Sequence, residues 1–121
     1  MKTRNGFVSN SSSTSFVIIC PKKAFDNYTK KAHPFYKAWI KEYHSNLETK
    51  KFLGEEVIII NEIISSEDSY GLEEWKGKLP EEVNNYGDND ETNFDGREVL
   101  GAIAEGLERF SKDVISIQES R

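Results

Sequence analysis

Phe16-Val17-Ile18-Ile19-Cys20 is an unbroken aromatic and β-branched run, the pattern of a strand buried on both faces. Pro21 closes it and suits the start of a helix. Residues 22–32 are helix-compatible, and Pro34 restarts the chain. From Phe35 to Leu47 the period becomes helical. Tyr36, Ile40, Tyr43 and Leu47 share one stripe flanked by Phe35 and Trp39, opposite Lys37, Lys41, His44, Glu48 and Lys51. Gly54 reads as the C-terminal cap of this helix. Val57-Ile58-Ile59-Ile60, continued by Ile63-Ile64, is the strongest apolar run and predicts the central strand. Residues 65–95 are irregular and acidic, with short helical turns expected near Leu72–Trp75 and after Pro80. Asp95 followed by Glu98 forms a capping-box pattern, and Val99, Leu100, Ile103, Leu107 and Phe110 then follow at helical spacing. Gly101, Ala102, Ala104 and Gly106 interleave small residues that let this helix approach a sheet closely. Val114-Ile115-Ser116-Ile117 predicts the last strand.

The resulting order is β-α-β-α-β. Connections of this length that contain helices are crossovers, so neighbouring strands are expected to run parallel. The predicted fold is a small α/β domain: a mostly parallel three-stranded sheet with helices packed on it, with α+β as the alternative. Residues 1–121 form a single domain, divided into a Ser-rich N-terminal motif over 1–15 and an α/β core over 16–121.

Composition narrows the function classes. Of 121 residues, 36% are hydrophobic and 31% charged, and no run approaches the ~20 apolar residues that span a bilayer. The opening Met1–Gly6 leads into polar serines rather than an apolar stretch, so no secretory signal is expected. A single cysteine, Cys20, fits a reducing cytoplasm. Residues 1–52 carry ten Lys or Arg against three acidic residues; the remainder carries six against 18, and the total is −5. That polarity points either to two surfaces of opposite sign that orient charged partners, or to two halves that face each other.

Three constellations carry candidate chemistry. Cys20 stands at a strand end before a predicted helix N-terminus, with Lys22 and Lys23 beside it, where a thiol can become nucleophilic. It would need a base, and His33 and His44 lie in no recognisable motif, so a buried structural cysteine is the competing reading. Lys22, Lys23, Lys30 and Lys31, with Cys20, form the alternative anion or nucleotide site. Seven of the 14 aromatics (Phe25, Tyr28, Phe35, Tyr36, Trp39, Tyr43 and Phe52) accompany these lysines, as in proteins that stack single-stranded bases. Against this, Tyr36 and Tyr43 belong to the core stripe, and the net charge is negative. Asp88, Asp90, Glu91 and Asp95 form the acidic candidate. They resemble a calcium loop only superficially: starting at Asp88, Asn93 stands where glycine is required, and starting at Glu91, Ala102 replaces the bidentate Glu. No metal or cofactor is expected.

The stretch from Arg4 through Gly6-Phe7-Val8-Ser9-Asn10-Ser11-Ser12-Ser13-Thr14-Ser15-Phe16-Val17-Ile18 is similar to an N-terminal signature, G-F-V-S-N-S-S-S-S-S-F-[VI]-[IV]. That signature belongs to many uncharacterised small proteins of bacteriophages and bacteria; Thr14 stands for one serine. The resemblance implies a phage or bacterial origin and carries no site residues. Together these features lead to a small acidic, non-enzymatic binding protein, a phage accessory factor acting on a host or virion protein through the acidic stretch from Glu67 to Glu98. The alternatives are a nucleotide- or nucleic-acid-binding domain and, behind it, a cysteine-dependent enzyme. No membrane partner is expected, and self-association into a homo-oligomer remains open.

Overall fold

A computed structural model describes residues 13–65, 67–72, 75–88 and 91–120. The elements are β1 (Ser13–Pro21), α1 (Lys22–Lys31), α2 (Pro34–Tyr43), β2 (Glu48–Phe52), β3 (Glu55–Ser65), α3 (Gly96–Phe110) and β4 (Ile115–Ser120). Among the described residues the sheet has four strands in the order β2-β3-β1-β4, and every neighbouring pair is antiparallel. The fold is therefore α+β, not the mostly parallel three-stranded α/β sheet that the connection lengths predict.

The error is one of parity. β2 and β1 both pair antiparallel with β3, so they run the same way; β3 and β4 both pair antiparallel with β1, and they too share a direction. Each helical connection does join strands of like direction, as crossover geometry requires. Between each such pair the sheet inserts one strand running the other way. This β-α-β-β-α-β connectivity is the split βαβ arrangement, and the element that completes it is β2.

β2 has no apolar pattern to announce it, because all five residues of Glu48-Thr49-Lys50-Lys51-Phe52 are exposed. A two-residue turn holds it: Leu53 at φ 52° and Gly54 at φ 84° link the closing pair Phe52 and Glu55. Two consecutive positive φ values match the twist of a tight hairpin. Gly54 thus belongs to this hairpin and is not a helix cap; α2 ends earlier, at Tyr43.

Helix ends follow local chemistry. The His33 Nδ1 accepts from the Phe35 N–H at 3.0 Å, and Pro34 opens α2 without losing a bond. Asp95 caps α3 by accepting from the Arg97 N–H at 3.0 Å, and its carboxylate also holds the Arg97 guanidinium through two contacts of 3.0 and 3.1 Å. Glu98 does not close the capping box. Its carboxylate instead accepts from the Asn84 N–H at 2.9 Å and the Tyr86 hydroxyl at 3.0 Å, tying the long loop to α3.

The core lies between one face of the sheet and the helices. Thr14, Phe16, Ile18 and Cys20 of β1, with Ile58, Ile60 and Ile64 of β3, are buried there. Phe25, Tyr28, Phe35, Tyr36, Trp39 and Ile40 meet them from α1 and α2, and Val99, Leu100, Ile103, Ala104 and Leu107 from α3. The 67–95 loop adds Leu72, Val83 and Phe94, and Phe35 meets Phe94 edge-on with ring centres 5.0 Å apart. At the two places where short helical turns are expected, the Trp75 N–H donates to the Leu72 carbonyl and the Val83 N–H to the Pro80 carbonyl, the latter closing a single turn. The Tyr36 hydroxyl donates to Glu82 and the Tyr43 hydroxyl to the Gly71 carbonyl, so α2 holds this loop at two points.

Candidate interaction surface

Pairing partners in a sheet point to the same side. The positions alternate with the buried ones, so Val17 and Ile19 of β1, Val57, Ile59 and Ile63 of β3, and Ile115 and Ile117 of β4 share the face away from the helices. Their register forms continuous rows. Ile59, Ile19 and Ile115 lie side by side across three strands, with Glu48 of β2 at the end; Asn61, Val17 and Ile117 form the next row. Val17, Ile19, Val57 and Ile59 are half-buried, whereas Ile63, Ile115 and Ile117 are 68%, 53% and 52% exposed. β1 is thus not buried on both faces as its composition predicts: among the described residues the helices cover one face and leave the other to solvent.

This face holds seven aliphatic side chains, one central amide and a charged margin of Glu48, Lys50, Glu55 and Glu119. Phe52, 66% exposed, stands at one corner. Its chemistry is that of an apolar contact surface, not a base-stacking one, since sheets that read single-stranded nucleic acid present aromatics at their centre.

The residues singled out in the sequence fall elsewhere. Cys20 faces the core, 1% exposed; its Sγ–H points to the Pro21 carbonyl at 3.3 Å. Burial, with a smaller contribution from the Asp26 charge, pushes its thiol up to about 11, so it stays protonated near neutral pH. Lys22 pairs with Asp26 at 2.9 Å within α1, whereas Lys23, Lys30 and Lys31 are exposed along that helix. Phe25, Tyr28, Phe35, Tyr36 and Trp39 are buried and Tyr43 is half-buried, so of the seven aromatics considered for stacking Phe52 alone is exposed.

On the acidic side, Asp95 is spent on the α3 cap and on Arg97. Asp88 and Glu91 are exposed and line a shallow depression of about 510 Å³ with Ser69, Tyr86, Thr92 and Asn93. Asp90 and the N-terminal residues 1–12 lie outside the described residues. Among the described residues, the Lys and Arg ion pairs are local (Lys22–Asp26, Lys50–Glu48, Arg97–Asp95, Arg109–Glu105) and none joins the basic half to the acidic half. The same residues contain no cluster of three or more His, Cys, Asp or Glu able to hold a metal ion, and no helix long and apolar enough to cross a membrane.

One cross-half contact involves histidine. His44, 5% exposed just past α2, places Nδ1 3.6 Å from Glu62 Oε1 on the helix-facing side of β3, too far for a hydrogen bond. Burial lowers the His44 pKa and raises that of Glu62.

Comparison with family models, curated proteins and solved structures finds no match.

Sequence reasoning missed the open face as a surface, although its signal was present. Val17, Ile19, Val57, Ile59, Ile63, Ile115 and Ile117 are all odd-numbered positions of apolar runs, the set that period-2 alternation sends to the side opposite Phe16, Ile18, Ile58 and Ile60.

Proposed function

We propose that this chain is a small acidic, non-enzymatic binding protein that works by protein–protein contact. The observation that carries the reading is the open sheet face: seven aliphatic side chains, five of them in two adjacent rows, and three of the seven more than half exposed. Removing such a face from water is favourable by ~25 cal/mol per Å² of apolar surface, and a protein partner is the natural means. The N-terminal resemblance supports a phage or bacterial setting, in which the eventual target is a host or virion protein. Among the described residues no Lys or Arg of the basic half pairs with an acid of the other half, which favours oriented approach to that target. The buried, high-pKa thiol of Cys20 argues against the cysteine-dependent alternative. The buried aromatics and aliphatic sheet face argue against nucleic acid.

The test uses tagged full-length chain as bait in nuclease-treated bacterial lysate, beside an Ile117→Glu bait. A protein captured by the wild type and lost by the variant supports the reading. Equal capture by both baits, or retention that nuclease abolishes, overturns it.

A further inference from the structure

We infer that the occupant of the open sheet face is a second copy of this chain, the two sheets packing face to face in a symmetric dimer. The inference rests on reading that face as a protein-binding surface, and it names the partner.

The centre of the face carries the argument. Asn61 lies beside Val17 in the register, with Ile59 and Ile63 before and after it on the same side of β3. No described residue takes its side-chain amide in a hydrogen bond. An apolar partner laid over this face would bury that amide unpaired, which is unfavourable. An amide carries both donor and acceptor, so an identical Asn61 brought opposite by a two-fold axis satisfies it. Buried Asn pairs fix the register of symmetric coiled coils in the same way.

The dimensions agree. A nine-residue β1 at ~3.3 Å per residue, in a sheet of four strands ~4.8 Å apart, gives a plane of roughly 500 Å² before side-chain relief. A stable interface at the smaller end takes about 600 Å² from each partner. Stacked sheets sit ~10 Å apart with aliphatic residues interdigitating, which the rows of Ile19, Ile59 and Ile115 suit. The chain's own preceding segment is a poorer cover. Residues 1–12 contain Met1, Phe7 and Val8 as large apolar side chains, too few for seven aliphatic ones spread over three strands. The helices, with Leu72, Val83 and Phe94 of the loop that follows β3, lie on the opposite side of the sheet. Such a dimer therefore displays two acidic loops outward, which strengthens attachment to any target with repeated sites.

The experiment is sedimentation velocity on the full chain at about 100 μM, a concentration at which a modest dimer populates, with Ile117→Glu and Asn61→Asp in parallel. Both substitutions fall at positions exposed in the single chain, and circular dichroism serves to check that each variant keeps its fold. The expected result is a wild type at twice the chain mass. In each variant dimer affinity falls by ~100-fold or more, because carboxylates face each other or an apolar contact across the two-fold. A wild type at single-chain mass overturns the inference. So does a dimer that both variants leave intact. A monomer that becomes dimeric on Phe7→Ser overturns it in favour of the N-terminal segment as the cover. The underlying reading fails separately: a monomeric wild type whose captured protein is lost with Ile117→Glu removes the second copy and keeps the docking face. Capture by a monomeric wild type that survives Ile117→Glu removes the face itself.

Discussion

The two faces of this sheet are made from the same kinds of residue and meet different surroundings. Toward the helices, Phe16, Ile18, Ile60 and Ile64 are at most 2% exposed. One residue along in each strand, Val17, Ile19, Ile59 and Ile63 range from half-buried to 68% exposed. Side-chain type alone does not say which face a fold covers. The helices decide it, because three helices placed on one side can bury one apolar face.

The largest test of that contrast compares neighbours. Phe16→Ala removes a fully buried ring beneath the helices and is expected to destabilise the chain by about 3–5 kcal/mol in urea unfolding. Val17→Ala, one residue on, is expected to cost about 1 kcal/mol or less in the isolated chain. If the face is covered by a second copy, the Val17→Ala cost grows with protein concentration while the Phe16→Ala cost stays constant. Equal costs at every concentration would erase the distinction between the faces.

A smaller effect probes how closely the covered side is packed. Gly106 of α3 lies against the Tyr28 ring of α1, and a Cβ there would sit 2.6 Å from Tyr28 Cε1. Gly106→Ala gains helix propensity, but the ring is wedged at 4% exposure and cannot easily retreat. A net loss of about 1–2 kcal/mol is expected in thermal unfolding. Gly101→Ala in the same helix meets Gln118 no closer than 4.0 Å and should stabilise slightly. A Gly106→Ala protein as stable as Gly101→Ala would show that α1 and α3 are not in close contact.

The same contrast explains what the sequence reveals. Covered-face residues and α3 are legible because periodicity at 3.6 or 2 reports burial, and Asp95 announces its cap. β2 is not legible: Glu48–Phe52 buries nothing, and its Leu53-Gly54 turn lacks the Asn-Gly or Asp-Gly signal of tight hairpins. Missing that one strand hides the reversal of β3 and β4 relative to β1, so neighbours that run antiparallel are expected to run parallel. Side-chain type does not separate the acidic candidates, yet Asp95 differs from Asp88 in what it touches. The Arg97 guanidinium and N–H hold Asp95, while Asp88 faces solvent. Asp95→Ala is accordingly expected to cost about 1–2 kcal/mol through the lost cap and the released, mostly buried Arg97, and Asp88→Ala close to nothing.

The smallest expected effect lies at the edge of the covered face, where His44 meets Glu62. Burial lowers the His44 pKa from its ordinary 6.5, so below pH 6.5 the unfolded chain takes up a proton that the folded chain resists. Stability contributed by neutral His44 is therefore present above pH 6.5 and is lost as pH falls through the lowered value. Glu62 acts in the opposite direction. Its raised pKa means the folded chain binds a proton more readily than the unfolded chain just above 4.5, so acidification in that range restores some stability. A shallow dip in unfolding midpoint is expected on going from pH 7 to pH 5, with partial recovery below. His44→Gln should remove the dip and Glu62→Gln the recovery. The Glu62 carboxylate, 3.6 Å away, limits the depth of the dip because it attracts the proton that burial repels. A profile unchanged by His44→Gln would place the acid sensitivity of the chain elsewhere, outside the covered side of the sheet.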